Sequence, residues 1–252
     1  MYFWKGALSI SQVSSLVKIN AIWRVPLILL WTAVMATISV AFSVVDQTGG
    51  RQHGCARTWS RFIFLVSRVK VEIQGLEGLD RHRGYLFAAN HLSIFDHWAF
   101  LAHLPFQFGF VAKASLFRLP FLGWHLRRSG NIAIGRHNHR ETLRVFRSAA
   151  KRIRAGMSYV IYPEGARTWG EAVGPFKRGS LLLAQYANAP IVPVTFIGAH
   201  RRLLRGSVLI CPGTMQMIIH APIEFEEYKD LDPQTLADTV RERILESYQK
   251  VS

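Results

Sequence analysis

The sequence predicts an α/β domain, with a mixed, largely parallel sheet flanked by helices, preceded by an N-terminal membrane helix or helical hairpin. Three observations predict it. An uncharged run of membrane length lies near the start of the chain. From residue 69 onward, short apolar, β-branched or aromatic runs alternate with helical stretches, the pattern of strands joined by crossover helices. And 252 residues are enough for one substantial domain but not comfortably for two. Residues 1–68 are therefore expected to be membrane-anchoring helices and residues 69–252 the α/β domain.

Composition narrows the classes. Lys and Arg total 31 against 16 acids, a formal charge of +15, yet half of the residues are hydrophobic and 19% are charged. Disorder combines low hydrophobicity with high charge and is excluded. Cys55 and Cys211 are the two cysteines. They lie too far apart for a disulfide scaffold or a metal-ligand spacing, so no metal site is expected. A chain both oily and cationic suits a phospholipid membrane, which is oily and anionic, better than it suits nucleic acid.

The uncharged run lies between Arg24 and Asp46, from Val25 to Val45. At helical rise it covers roughly 31 Å, about one hydrocarbon core. Pro26 falls in the first turn, where its missing N–H matters little. A cleaved signal peptide would have a shorter apolar region nearer the start, and a buried core helix is the remaining alternative to membrane insertion. Lys5, Lys18 and Arg24 precede the run and Arg51, Arg57 and Arg61 follow it, so the positive-inside rule gives no direction. The basic, aromatic segment from Arg57 to Val69 could fold back across an Asp46–Gly54 turn as a hairpin in one leaflet. Both ends would then be cytoplasmic; a single spanning helix is the alternative.

In chain order, strands are expected at Val69–Gln74, Tyr85–Ala89, Phe108–Ala112, Asn131–Ile134, Tyr159–Tyr162, Ile191–Ile197, Val208–Ile210 and Met215–His220. Helices are expected at Ile94–His103, Ser115–Arg127, Arg140–Ala155, Arg178–Ala187 and Gln234–Gln249. On the third of these helices Arg140, Arg144, Arg147, Lys151 and Arg154 share one face, beside an apolar row of Leu143, Phe146, Ala150 and Ile153. That face is either solvated or met by an anionic partner that relieves the repulsion among five cations.

Two loops carry chemistry. Asn90-His91-Leu92-Ser93-Ile94-Phe95-Asp96 follows the Tyr85–Ala89 strand, and reactive loops in open α/β sheets gather beyond the carboxyl ends of strands. Imidazole is the side chain best suited to take a proton near neutral pH, and a carboxylate on its other nitrogen fixes the tautomer. Residues five apart on one helix diverge by about 140°. His91 must therefore lie in the loop, with Asp96 in the first turn of the next helix. Against this stands a capping box, Ser93-x-x-Asp96, which accounts for the Asp without catalysis.

The second loop, Tyr162-Pro163-Glu164-Gly165-Ala166-Arg167-Thr168, also follows a strand. Arg offers a planar donor fork suited to phosphate, while Glu could hold that fork or accept a hydroxyl proton. Lys113 and Arg136 close two further strands. Lys113, Arg136 and Arg167 would then meet on one rim of the sheet, as a phosphate site or as separate solvated cations. His137-Asn138-His139 lacks the supporting ligands a nuclease centre needs.

These residues resemble the lysophosphatidic acid acyltransferase family, the glycerolipid acyltransferases. The likeness spans roughly residues 60–225. Asn90-His91 with Asp96 is similar to the family's first block, Gly130–Arg136 to the second, Pro163-Glu164-Gly165 with Arg167 and then Pro175-Phe176-Lys177 to the third, and Ala189–Val194 to the fourth. The resemblance implies that residues 69–252 are an acyltransferase catalytic domain. It would transfer a fatty acyl group from acyl-CoA or acyl-carrier protein to the free hydroxyl of 1-acylglycerol-3-phosphate, giving phosphatidic acid. His91 would be the general base and Asp96 its orienting partner. Arg136, Glu164, Gly165 and Arg167 would bind the acceptor, with Lys113 a weaker candidate.

The resemblance implies no cofactor beyond the acyl-CoA or acyl-carrier-protein co-substrate, no nucleic acid, and a site on the cytoplasmic face of the inner membrane. Ala166 stands where relatives usually carry Thr and Gly135 where many carry Asp, which bears on acceptor identity. Another lysolipid or polar-lipid acceptor is the nearest alternative. A non-catalytic, membrane-tethered protein binding anionic lipid or nucleic acid is the alternative from another class.

Overall fold

The computed structural model describes residues 15–46, 48–119, 122–135, 139–168, 172–203 and 206–251. Seven strands form one sheet: β1 (Val69–Gln74), β2 (Leu86–Ala89), β3 (Phe108–Lys113), β4 (Ile132–Ile134), β5 (Ser158–Ile161), β6 (Ile191–Ile197) and β7 (Gly213–Ile219). Their spatial order is β1-β7-β6-β2-β5-β3-β4. Among these pairings β6–β7 is antiparallel and the rest are parallel. The helices are α1 (Ser15–Val45), α2 (Gly50–Ser67), α3 (Ile94–His103), α4 (Leu122–Arg128), α5 (His139–Arg154), α6 (Leu182–Ala187), α7 (Phe225–Tyr228) and α8 (Pro233–Val251).

Sequence character follows position in the sheet. β2 and β5 are buried at every residue and β6 at all but its last, as expected of parallel strands covered on both faces. β1, at the edge, exposes Lys70 and Gln74. On α5 the expected apolar row is turned inward, with Phe146, Ala150 and Ile153 buried, while Arg140, Arg144, Arg147, Lys151 and Arg154 are exposed. Two of those cations are engaged locally: Arg147 lies over the Tyr186 ring and Arg154 donates to the Tyr186 carbonyl.

Three expected elements differ. Val208–Ile210 is no strand; Ile210 makes an isolated bridge to Leu203. In place of one helix over Ser115–Arg127 there is a 3-10 turn, Ala114–Arg118, and then α4. The helix expected from Arg178 begins at Leu182, because residues 178–181 form turns.

The N-terminal segment is a helical hairpin. Asp46 accepts from the backbone N–H of Thr48 and of Arg51, which holds the reversal. Across it Trp31 packs on Phe62 at 4.7 Å and the Trp59 indole N–H donates to Thr32 Oγ1. Residues Ile19–Val45 form a helix long and apolar enough to cross a membrane, and Ile22, Leu29, Leu30 and Val44 are each more than 60% exposed. The second helix differs: α2 packs on α3 through Trp59–Trp98 and Phe64–Phe95. Its Arg57 and Arg61 donate to the Leu104 and Ala102 carbonyls at the end of α3.

Candidate active site

Because β2, β5 and β3 run parallel, the loops after them open on one edge of the sheet. The loop after β2 is tied first by Asn90. Its side-chain amide donates to the Phe196 carbonyl and its oxygen accepts the Phe196 N–H, linking the end of β2 to β6. The chain then turns and Ser93 caps α3, with Asp96 closing a capping box.

The same Asp96 meets His91. Asp96 Oδ2 accepts from His91 Nδ1 at 2.9 Å, from the Leu92 N–H at 2.7 Å and from the Ser93 N–H at 2.8 Å. Cap and dyad, rivals in the sequence, are one arrangement. Two backbone N–H groups aimed at Oδ2 leave that oxygen an acceptor, so the imidazole proton sits on Nδ1. The Nε2 lone pair then faces away from the carboxylate, which is the tautomer a general base requires.

His91 is held from the neighbouring strand as well. Glu164 Oε1 accepts the His91 backbone N–H at 3.0 Å, a bond strengthened when the carboxyl is charged. The His91 carbonyl accepts from the Thr168 N–H at 2.9 Å, and the Thr168 hydroxyl reinforces that bond. The loop after β5 thus grips the main chain of the base on both sides. Tyr162 stacks on the imidazole, with ring centroids 4.0 Å apart and planes 24° from parallel.

Burial sets the protonation behaviour. His91 is lowered to about 3, by desolvation first and by the Arg167 charge second. It is therefore neutral and able to accept a proton. Full burial pushes the Asp96 carboxyl up, while the Ser93 and Leu92 N–H groups pull it down. Glu164 is likewise raised by burial, to about 7. These surroundings resist a lone charge. An imidazolium forming on His91 supplies Asp96 with the opposite charge, and solvent does little to screen the pair.

Beside the pair lies an apolar cavity of about 510 Å³, between α1, α2, α3, α4 and β3, lined among others by Met35, Ala56, Ile94, Trp98 and Leu101. Its size falls within the range of small-molecule sites. Among the described residues, no group of His, Cys, Asp and Glu has the arrangement of a metal site.

The expected site residues do not all meet. His91 and Asp96 are brought into contact, as the spacing argument requires. Glu164, expected at the acceptor, makes its contact with the backbone of His91. Gly165 has φ of +73°, which favours glycine, and an added Cβ there would displace the Lys177 side chain. Lys113 and Arg167 are exposed at the strand-end edge, and the charge of Arg167 reaches His91 and Asp96. Arg136 lies outside the described residues. Sequence reasoning missed the ties made by Asn90 and Thr168, the stacking of Tyr162 and the position of Lys177. The motif segments contain all four residues, but their partners lie on other strands and loops.

A family model described as "Acyltransferase" matches residues 70–197, just over half of the chain. The chain belongs to the acyltransferase family. Among named members, it is 30% identical over 202 residues to a chloroplastic 1-acyl-sn-glycerol-3-phosphate acyltransferase of Brassica napus, covering 79% of this chain and 57% of that one. It is 26% identical over 194 residues to the 1-acyl-sn-glycerol-3-phosphate acyltransferase of Bacillus subtilis, covering 75% and 94%. The chain spans between about half and two thirds of the length of the plant and algal relatives it matches. The crystal structure of the 1-acyl-sn-glycerophosphate acyltransferase PlsC from Thermotoga maritima has the same fold. The TM-score is 0.77 at 19% identity, over 94% of this chain and 97% of that one.

Proposed function

We propose that this acyltransferase moves a fatty acyl group from an acyl-CoA or acyl-carrier-protein thioester to the free hydroxyl of 1-acylglycerol-3-phosphate, forming phosphatidic acid. The observation that carries this reading is the buried His91–Asp96 contact beside an apolar cavity. His91 Nε2 takes the proton of the acceptor hydroxyl as that oxygen attacks the thioester carbon. Asp96 holds the ring and balances the imidazolium. The tetrahedral intermediate collapses, the carbon–sulfur bond breaks, and the thiolate leaves with the proton from His91. General-base assistance of this kind gives about 10² to 10⁴ in rate. Holding the two substrates together supplies much of the remainder. No acyl-enzyme is required, because a thiolate is already a good leaving group.

The acyl chain lies in the apolar cavity, and Arg167, Lys177 and Lys113 attract the acceptor phosphate. The names of the relatives support the acceptor. A second reading, another lysolipid acceptor, rests on Gly135, where an added Cβ would meet nothing within 4 Å among the described residues.

α1 anchors the enzyme in the membrane. Its Trp31 pairs with Phe62 of α2, so the end of α2 at Ser67 falls beside about residue 26 of α1. One side of α1 packs on α2, which in turn packs on α3, while Leu29, Leu30 and Val44 on α1 stay exposed. The pairing of α1 with α2 supports a reading in which the hairpin is held in one leaflet facing the cytoplasm, with a single spanning helix as the alternative.

The test is turnover by the purified, detergent-solubilised protein with one long-chain acyl-CoA and, separately, with acyl-carrier protein. Lysophosphatidic acid, a neutral monoacylglycerol and lysophosphatidylcholine are offered in turn. Acylation of lysophosphatidic acid well above the others is expected. Preference for another acceptor would overturn the assignment of the cationic rim, and no acylation with either donor would overturn the reading itself.

A further inference from the structure

His97 stands next to the dyad and has no part in it. It follows Asp96 on α3, and its ring packs against His91, Tyr162 and Phe110 at centroid separations of 4.9, 4.7 and 5.0 Å. The same ring lines the apolar cavity, so one side chain touches both the base and the chamber. Its Nδ1 is buried with no hydrogen-bond partner. A proton placed there would be an orphaned buried donor, which destabilises more than an orphaned lone pair on a weak acceptor. The proton therefore sits on Nε2, so the neutral imidazole carries a single N–H on a ring that lines the cavity. Burial keeps the ring neutral, and the neighbouring His91 and Arg167 act in the same direction.

We propose that His97 donates this N–H to the carbonyl oxygen of the acyl thioester and stabilises the oxyanion that forms there. The proposal rests on the acyl-transfer reading above. As the acceptor hydroxyl gives its proton to His91 and its oxygen bonds to the carbonyl carbon, the carbonyl π pair moves onto oxygen. That oxygen takes a hydrogen bond, not a proton, from His97. Collapse restores the carbonyl, and His97 ends as it began.

The geometry suits the task. The attacking oxygen must lie about 3 Å from the base and the attacked carbon about 3 to 3.5 Å from that oxygen. An oxyanion donor must come to about 2.7–3.1 Å of the charge. Two imidazoles 4.9 Å apart can reach neighbouring atoms of one reacting group. A donor in a chamber lined mainly by apolar side chains also acts with little competition from water.

The experiment compares wild type, His97→Phe and His97→Asn in the acceptor assay, recording kcat, KM for acyl-CoA and the melting temperature of each sample. Phe preserves a flat aromatic ring and removes the donor; Asn does the reverse. We expect His97→Phe to lose about 10²- to 10³-fold in kcat with KM changed less than about threefold, and His97→Asn to recover at least about tenfold of that loss. Phe matching wild type would overturn the proposal and leave His97 a packing residue. So would equal losses in both variants that track a lowered melting temperature. If wild type acylates no acceptor, the acyl-transfer reading falls and takes this proposal with it. If wild type turns over and the Phe variant does too, the proposal alone falls.

Discussion

The loop bearing His91 and the edge bearing Lys113, Arg167 and Lys177 are neighbours built in opposite ways. In the loop, Asp96 and Asn90 are fully buried and His91 is 9% exposed. Backbone and side chains there are gripped by Phe196, Glu164 and Thr168. The three cations on the edge are all exposed. A proton-transfer group gains from a dry, fixed setting, where its tautomer is set and unscreened charge acts strongly. A group that captures an anion from a membrane surface gains from reach and exposure, at the cost of screening by salt. Substitutions in the loop should therefore change kcat, and those on the edge should change KM.

The largest effect in this comparison is expected at Asp96. Asp96→Asn can still accept the Leu92 and Ser93 N–H groups through its amide oxygen, but it no longer favours the Nδ1–H tautomer of His91. A fall in kcat of about 10³ to 10⁴ is expected, with a modest change in melting temperature. A loss of folding that accounts for all lost activity would instead make Asp96 a cap alone.

Next comes Glu164. Glu164→Ala leaves the His91 N–H without its partner in a buried place, which destabilises by about 1–3 kcal/mol. It also loosens the base enough to lower kcat by up to about 10². Glu164→Gln keeps an acceptor and should fall between Ala and wild type. If both variants raised KM for the acceptor at unchanged kcat, Glu164 would be an acceptor-binding group after all.

The smallest effects belong to the edge. Arg167→Ala is expected to raise KM for lysophosphatidic acid about tenfold, consistent with one charge-assisted hydrogen bond, and Lys113→Ala by less. Both effects should shrink as ionic strength rises from low salt toward about 0.15 M. A neutral acceptor should show neither. Equal sensitivity for charged and neutral acceptors would break the distinction between the two regions.

Much of this is legible in the residues. β1, α3 and β6 lie where their patterns put them, because burial on one or both faces dictates side-chain character residue by residue. The His91–Asp96 contact follows from helix geometry, since both groups come from one short segment. What is not legible depends on distant partners. Nothing local to Glu164 shows that its carboxylate meets the His91 N–H across β2 and β5. The packing of Trp59 and Phe64 of α2 on Trp98 and Phe95 of α3 likewise joins residues far apart in the sequence. Val208–Ile210 has strand composition without a sheet neighbour beyond the single Ile210 bridge, and strand propensity alone does not supply one.

The measurement that bears most directly on His91 as the base is kcat of His91→Ala beside wild type, on the acceptor that wild type prefers, with binding to anionic vesicles measured on the same samples. The account predicts a loss of about 10² to 10⁴ in kcat with vesicle binding unchanged. Turnover within a few-fold of wild type would contradict it.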